Sequence, residues 1–532
     1  MLTPSERRTL AGLSVFRGEF DSRAAALVAE ASPSLLRALY DRSLLVKVGD
    51  GRYMLHAQTR QFAALHLVEM GLSEDTLRDI HSCYYLDFLR CQEAALYGAQ
   101  QQPVLEALEM ELHNLHQAWN WAVGTRCMSP LIQAAPALAR FYDSLGRFQE
   151  GAAAFAQAVS NLDEDAEPFD EGVLLVYKGA FYRLLGLLKE AVACLESGLA
   201  RLAPFGKTAV CAAGWVHLGL ALHALTRFAD AVHACEKGLA CARAVGNPWG
   251  EAEALNALGN VYYTEGDYGT ATTYYQQSAV HYETLGDQRG LARVYNNLGN
   301  LTYQQADYLA TDQWYQKSLA IKAALGDRWG MVISQHNLGE LAYIAERYEE
   351  AHHVLTESLR LSREVGYRPA TVASLLRLGD VAYLQAMYGE ARRYYHEALL
   401  VARQMEDVSR EAVALCGLGR VAMRLQTPED ARVYCEQAFA LPTHPPDLLT
   451  ILGFVAELRA VEGAWAKAVE IAAFVLEQPE TSQETQIHLE AWLSDWGARL
   501  SSVVVEKAAQ RGRERTFTDI LAALWETHYP RS

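Results

Sequence analysis

The sequence has 532 residues, of which 51% are hydrophobic and 21% charged, enough apolar sequence for several domains or one extended array. Its 47 lysines and arginines against 64 acidic residues leave a net charge of −17, which disfavours binding to nucleic acid or to anionic lipid. The nine cysteines are isolated, as expected of reduced thiols. No window is apolar enough to span a membrane, so we expect a cytoplasmic, all-α protein.

Residues 1–70 predict a small domain of three helices followed by a β-hairpin. The predicted elements are helices at about 4–13, 21–31 and 33–42 and strands at 44–48 and 52–56, with a Gly-Asp-Gly turn at 49–51. This order is typical of a winged helix, a fold that often binds DNA. The basic residues on its third helix and wing are few: Arg37, Arg42, Lys47 and Arg52. We therefore favour a protein-packing role and keep a DNA-binding transcriptional regulator as an alternative.

The next segment, residues 71–128, predicts a helical linker. It contains the motif Glu111–Ala122, in which His113 and His116 lie three residues apart on one helix, close to further acidic groups. Such side chains can bind zinc, but no third ligand follows at helical spacing. We therefore predict no metal site.

Three stretches of the first domain, together with the linker motif, carry a family resemblance. The stretches are Leu13–Phe20, Leu35–Leu36 with Asp41–Leu45, and Tyr53–Ala63. They resemble the winged helix of STAND-class signalling ATPases, and the linker motif resembles the helix that joins the winged helix to the tetratricopeptide repeats in bacterial members of this class. Among these members are transcriptional regulators whose repeat region is similar to that of the maltose regulator.

The resemblance implies one nucleotide contact. The stretch Leu55–Ala57 is similar to a Met-His-Asp-like motif, so the resemblance implies that His56 approaches nucleotide when an ATPase domain is bound, although Ala57 stands where the family often has Asp. Read from this chain alone, His56 is equally a hairpin residue with a satisfied ring.

Residues 129–441 predict an array of helix hairpins with a period of 40 residues. A Leu-Gly pair recurs at 218–219, 258–259, 298–299, 338–339, 378–379 and 418–419, and Gly179 lies one period earlier without its leucine. A small residue follows each glycine by twelve positions and, in all but the last repeat, a large one by nine. The glycines let two helices approach closely, and each hairpin buries little without its neighbours.

This pattern resembles the tetratricopeptide repeat, whose two signature elements are similar to Leu258–Tyr262 and Ala271–Tyr275. The period overlaps that of HEAT repeats, but the Leu-Gly-x-x-Tyr element favours the tetratricopeptide repeat. We therefore predict an all-α tetratricopeptide superhelix, an α-solenoid, with Gly-Asp or Gly-Asn helix ends at 246–247, 286–287 and 326–327. Residues 442–532 predict a C-terminal helical cap.

No motif for catalysis or for a cofactor is present in the sequence. The sole Gly-Lys-Thr, at Gly206–Thr208, has Arg201 where a phosphate loop needs its first glycine. Hydrolase, zinc-protease and dinucleotide motifs are also missing. We expect a chain that is not an enzyme and that has neither a cofactor nor a metal.

The predicted binding site is the concave face, which the first helix of each hairpin lines. The side chains expected to point inward lie three before, one after and four after the Leu-Gly glycine. They include Asn256, Asn260, Tyr263, Asn296, Asn300, Tyr303, His336, Glu340, Tyr343, Asp380, Tyr383 and Arg420. Repeated asparagines are similar to those with which related arrays clamp peptide main chain, yet they are equally consistent with packing between repeats.

The predicted function is a regulatory module that senses a signal by binding. Its ligand would be a protein, a peptide or a small inducer, and its partner a nucleotide-binding ATPase domain, with no membrane and no nucleic acid involved. The resemblance favours the sensor half of a STAND-type regulator without its ATPase domain. A free-standing tetratricopeptide scaffold or peptide receptor is the first alternative, and the DNA-binding regulator is the second.

Overall fold

A computed structural model of the chain describes residues 2–520, apart from 50, 164, 442–443, 482–484, 487–488, 491, 494–495 and 497–499. Within these residues the fold is all-α and solenoid-like, with one small sheet. The chain divides into two units, Met1–Gln305 and Ala306–Ser532. Asp50 of the predicted hairpin turn and parts of the predicted cap, including 521–532, lie outside the described residues.

The first unit begins with three helices and a three-stranded antiparallel sheet. These elements are α1 (Pro4–Leu13), β1 (Phe20–Asp21), α2 (Ser22–Ala29), α3 (Pro33–Asp41), β2 (Val46–Gly49) and β3 (Arg52–Met54). The strand order is β1-β3-β2, with Phe20 opposite Tyr53 and Val46 opposite Met54. The predicted helices and hairpin are present, whereas β1 is too short to give a sequence pattern. The assignment of this domain as a winged helix stays a prediction.

Helices connect this domain to the repeats and continue through the first unit. They are α4 (Ala57–Leu65), α5 (Glu74–Cys91), α6 (Gln101–Met110), α7 (Leu112–Thr125), α8 (Met128–Ser144), α9 (Phe148–Ser160), α10 (Pro168–Leu184), α11 (Leu188–Leu202), α12 (Ala209–Ala224), α13 (Phe228–Ala244), α14 (Pro248–Thr264), α15 (Tyr268–Leu285) and α16 (Gln288–Gln304). From α8 onward they form antiparallel pairs, because short turns join helices that each bury one apolar face.

The second unit consists of further helices of the same kind. They are α17 (Tyr308–Ala324), α18 (Arg328–Ile344), α19 (Tyr348–Glu364), α20 (Arg368–Leu384), α21 (Tyr388–Gln404), α22 (Val408–Arg424), α23 (Pro428–Phe439), α24 (Pro445–Val461), α25 (Trp465–Leu476) and α26 (Ser502–Arg513). The core of this unit is most apolar around α24 and α25, where Leu452, Phe454 and Ile471 are fully buried. None of the described helices combines the length and apolar character of a membrane span.

The predicted Gly-Asp and Gly-Asn helix ends are confirmed, and the second residue of each pair has a role of its own. Gly246, Gly286 and Gly326 have left-handed φ angles of 63°, 71° and 64° at the ends of their helices. The side chains of Asn247 and Asp287 then cap the next helices by accepting from backbone N–H groups three residues later, both at 3.0 Å. One dipeptide therefore ends a hairpin and starts the following one.

In the hairpins of Gly259 and Gly379, the glycine of the Leu-Gly pair is required by close packing of the two helices, as predicted. A Cβ atom at Gly379 would lie 2.6 Å from a ring carbon of Tyr395, and one at Gly259 would lie 2.5 Å from the ring of Tyr275. Both rings are buried, at 3% and 2% exposure. These two glycines thus make room for an aromatic side chain of the second helix.

We expect Gly379→Ala to destabilise the second unit by about 1–3 kcal/mol, because overpacking against Tyr395 outweighs the better helix propensity of alanine. Gly389→Ala is the matched control, since nothing lies within 4 Å of an added Cβ there and alanine should be neutral or stabilising. Urea unfolding followed by circular dichroism measures both. Equal midpoints for the two variants would contradict the packing role.

Candidate ligand-binding surface

The first helices of successive hairpins in the first unit bring titratable side chains together. Arg140, Arg183, His217, Glu253 and Arg293 lie on α8, α10, α12, α14 and α16, and we call them the inner face of the first unit. They act on one another: burial raises the pKa of Glu253 but Arg293 and Arg140 lower it, and burial followed by Arg183 lowers the pKa of His217. These helices therefore surround a common interior.

A contact between distant parts of the chain closes this interior on one side. Arg140 Nη2 lies 3.3 Å from Asp287 Oδ2, and Trp249 Nε1 donates to the same oxygen at 2.9 Å. The guanidinium lies beside two rings that contact each other, with its carbon 5.4 Å from the Tyr97 centroid and 4.8 Å from that of Trp249. Burial opposes the charge on Arg140, but Asp287 and Asp143 outweigh it and raise its pKa. The pair of Arg140 and Asp287 thus joins α8 to the start of α16, 147 residues later in the sequence.

Glu253 and Arg293 form a second ion pair on the inner face. Arg293 and the hydroxyl of Tyr282 both donate to Glu253 Oε1, the latter at 2.5 Å, and Arg293 also donates to the Tyr282 oxygen at 2.8 Å. Burial would raise the pKa of Glu253, yet these two partners, with Arg140, lower it below its usual value. Glu253 is therefore an ionised and fully engaged carboxylate.

Arg183 and His217 differ from these pairs because they have no such partner. Arg183 makes no hydrogen bond or ion pair with any residue that the structure describes, and its Nε atom is buried. The Nδ1 atom of His217 is likewise buried without a partner. Burial lowers the pKa of Arg183 and that of His217, the latter to about 3, so the imidazole is neutral at physiological pH. This is the part of the inner face with unused hydrogen-bonding capacity.

The predicted asparagine clamp in the first unit is occupied by contacts within the protein. Asn297 Nδ2 donates to Asn256 Oδ1 at 3.0 Å and to Asn260 Oδ1 at 3.1 Å, and the Tyr275 hydroxyl donates to Asn260 Oδ1 at 2.9 Å. The expectation that the asparagines face an open groove is wrong for Asn256 and Asn296, which are only 5% and 9% exposed. At Asn260 these contacts favour packing between repeats, and peptide binding there stays a prediction.

We expect Asn260→Ala to destabilise the first unit by about 1–3 kcal/mol, because the buried Tyr275 hydroxyl loses its acceptor. Asn260→Asp should cost much less, since a carboxylate can accept the same bond, as Asp380 does from Tyr395 at 2.5 Å in a later repeat. Thermal melting of the two variants measures the difference. If Asn260→Ala and the wild type melt at the same temperature, the amide does not stabilise the buried Tyr275 hydroxyl.

In the second unit the predicted residues form a polar cluster around Arg377, a residue that the sequence reading missed. Arg377 donates to Glu340 Oε1 at 2.6 Å and to Asp380 Oδ2 at 3.1 Å, and its guanidinium carbon lies 4.4 Å from the ring centroid of Tyr343. His336 Nε2 is 3.7 Å from the same Glu340 oxygen. Arg377 thus contacts three of the predicted residues, and the fourth, His336, lies beside Glu340.

Arg420 is placed in a structural ion pair. Its guanidinium contacts both oxygens of Glu457 at 3.0–3.2 Å, and Glu457 is 1% exposed. Tyr383, by contrast, keeps its ring partly exposed while its hydroxyl accepts a bond from Arg424 at 3.0 Å. A ligand can therefore reach Tyr383 more readily than Arg420.

The remaining predicted residues of the array are partly exposed. Tyr263, Asn300 and Tyr303 are neither buried nor fully accessible, and Asn300 and Tyr303 have interaction partners of their own. The tyrosines at this position supply flat apolar area next to polar groups. Their role as ligand contacts stays a prediction.

In the first domain, His56 is exposed at the start of α4 and makes no capping bond there. Of the four basic residues weighed for DNA binding, Arg52 is paired with Glu19 at 3.2 Å and Glu111 at 2.6 Å. Arg42 lies 3.4 Å from Glu6. These pairs reduce the basic surface that the DNA-binding alternative needs.

A metal site was not expected at His113 and His116. His116 lies 3.6 Å from Glu150, and burial lowers its pKa. The residues that the structure describes contain no group of three or more His, Cys, Asp or Glu able to hold a metal ion.

Comparison with protein-family models identifies the type of repeat in part of the array. Residues 210–284 and 290–364 match the family model of the tetratricopeptide repeat, and these segments are tetratricopeptide repeats. No curated protein sequence matches the chain.

Several solved structures are similar to the chain at low identity. One is a STAND protein with a tetratricopeptide repeat sensor from Pyrococcus horikoshii, with 14% identity, a TM-score of 0.49, and 96% of this chain and 66% of that chain covered. Another is the quorum sensor NprR from B. thuringiensis, with 13% identity, a TM-score of 0.49, and coverage of 68% and 98%. A Rap protein complexed with Competence and Sporulation Factor gives 12% identity, a TM-score of 0.43, and coverage of 65% and 99%. The chain thus spans 66% of the length of the first structure.

Proposed function

We propose that the chain is a regulatory sensor that binds a peptide or a protein segment along the first helices of its tetratricopeptide repeats. The observation that carries this proposal is the cluster around Arg377, where partly exposed polar groups lie directly beside the face of Tyr343. Such a surface offers hydrogen bonds and apolar area to an extended ligand at once. It needs no catalysis, and we propose that the chain is not an enzyme.

The test uses peptides selected from a random library on the full chain. We expect Tyr343→Ala and Tyr383→Ala each to weaken binding of a selected peptide about tenfold or more, since loss of a well-packed aromatic contact costs about 1.4 kcal/mol or more. Tyr40→Ala is the matched control, because Tyr40 is a 46% exposed tyrosine outside the array. Circular dichroism confirms that each variant is folded. Equal affinities for all three variants would contradict the proposed surface.

We further propose that the chain works as the sensor half of a STAND-type regulator. Support comes from the sequence resemblance of the first domain and the linker motif, combined with the tetratricopeptide repeats that follow. The chain lacks a phosphate loop, so it should neither retain labelled ATP nor hydrolyse it alone. Steady ATP turnover by the purified chain would contradict this assignment.

A further inference from the structure

The unpartnered state of Arg183 and His217 follows from a pairing rule within the array. The residue two before the glycine of one repeat contacts the residue one after the glycine of the preceding repeat, 37 positions earlier: Asn297 with Asn260, and Arg377 with Glu340. Applied to His217, the rule leads to Ala180, which has no polar side chain. The imidazole therefore lacks the partner that its equivalents have.

Arg183 is left without a partner for a similar reason. It lies four after Gly179, the position of Tyr383, and Tyr383 is bonded by Arg424, 41 residues later. The residue 41 positions after Arg183 is Ala224. Two alanines thus stand where partners of Arg183 and His217 would be.

The nearby carboxylates do not compensate for this. Asp143 is paired with Arg140 at 3.3 Å, and Glu253 with Arg293 and Tyr282. Asp143 and Glu253 favour the charge on Arg183, but burial outweighs them, so its pKa is lowered. Binding of an anion therefore stabilises this partly buried guanidinium, which has no partner among the residues that the structure describes.

We infer that Arg183 and His217 form a site for a carboxylate group of the segment bound on the inner face of the first unit. This inference rests on the proposed function for the presence of that segment. The planar fork of one arginine matches a monoanionic carboxylate, and a neutral imidazole N–H adds one donor. A phosphate dianion suits the site less, because Asp143 and Glu253 lie close by.

The test measures the melting temperature of the full chain with four probes at about 50 mM and constant ionic strength. N-acetylglutamic acid α-amide has only a side-chain carboxylate, N-acetylalanine has only a terminal one, N-acetylglutamine amide has none, and inorganic phosphate represents the other anion. We expect one or both carboxylates to raise the melting temperature by about 1–3 °C and the neutral amide to have no effect. The probe that raises the melting temperature shows whether the bound group is a side-chain carboxylate or a terminal one.

Variants assign the effect to the site. Arg183→Gln should abolish the increase and Arg183→Lys should keep part of it, whereas Arg227→Gln, at an exposed arginine paired with Asp230, should keep it all. Without probe, Arg183→Gln should melt no lower than the wild type, because it removes an unpaired cation; a purely structural role predicts a lower value. An equal increase in Arg183→Gln, a response to phosphate alone, or no response would overturn the inference. Since the probes are small acids, this outcome is independent of whether selected peptides bind.

Discussion

Replacing Asp287 with alanine should lower the free energy of unfolding of the first unit by about 3–5 kcal/mol, one of the largest effects we expect in this chain. Asp287 is 0% exposed, and it accepts bonds from Trp249, from the Gly290 backbone and from Arg140. Its loss leaves Arg140, only 9% exposed, with Asp143 as its remaining ion-pair partner. The loss of three bonds to one buried carboxylate, one of them from a buried arginine that keeps a single ion-pair partner, explains the size of the effect.

Asp267→Ala provides the control for this experiment. Asp267 caps α15 by accepting from the Thr270 N–H at 3.1 Å, but it is exposed. Its loss should therefore cost about 1 kcal/mol, as for an ordinary helix cap. Urea unfolding with hydrogen exchange over α8, α14 and α16 measures both variants. If the two variants lose the same stability, the contact between Arg140 and Asp287 does not hold the first unit closed.

Replacing Lys322 with methionine should have the opposite effect and raise the free energy of unfolding of the second unit by about 2–3 kcal/mol at pH 7. Lys322 is 7% exposed, its ammonium donates to Ser334 Oγ at 2.8 Å, and burial lowers its pKa to about 8, with Asp327 acting against this shift. Below pH 8 the folded protein therefore holds a buried charge at a cost that the unfolded chain does not have.

The pH dependence follows from the same shift. Between about pH 8 and pH 10.5 the unfolded chain binds more protons at this lysine than the folded protein does, so the contribution of Lys322 to stability rises with pH. The advantage of Lys322→Met should accordingly shrink over this window. Lys317→Met, at an exposed lysine of the same helix, is the control for replacing a lysine by methionine as such. A constant difference between Lys322→Met and the wild type from pH 7 to 10.5 would contradict the lowered pKa.

The fold was predictable because its determinants are local and repeated. The 40-residue spacing of Leu-Gly pairs predicts the hairpins, and the Gly-Asp and Gly-Asn pairs predict where their helices end. These signals work because a glycine notch and a left-handed helix end each depend on a few neighbouring residues. Strand β1 escaped prediction, since two residues carry no alternation.

The candidate surface was only partly predictable, because side-chain pairing across repeats depends on how the helices stack. Nothing local to Asn260 indicates that Asn297 and Tyr275 occupy it, and Arg140 and Asp287 are too far apart in sequence to be linked by a pattern. Arg183 had a usable signal: it lies four after Gly179, the position where later repeats have tyrosine. The predicted site residues begin only with the repeat of Gly259, so this position was not among them.

The most direct test of the account is a hydrogen-exchange footprint of a library-selected peptide bound to the full chain. If the ligand lies along the first helices, protection should increase in α18 and α20 for a peptide on the second unit, where Tyr343 and Tyr383 are located, or in α14 for a peptide on the first unit, where Tyr263 is located. The paired second helices α15, α19 and α21 should change much less, because they lie behind the first helices in each hairpin. Protection confined to α15, α19 and α21, or to the first domain, would contradict the claim that these repeats bind their ligand on the first helices.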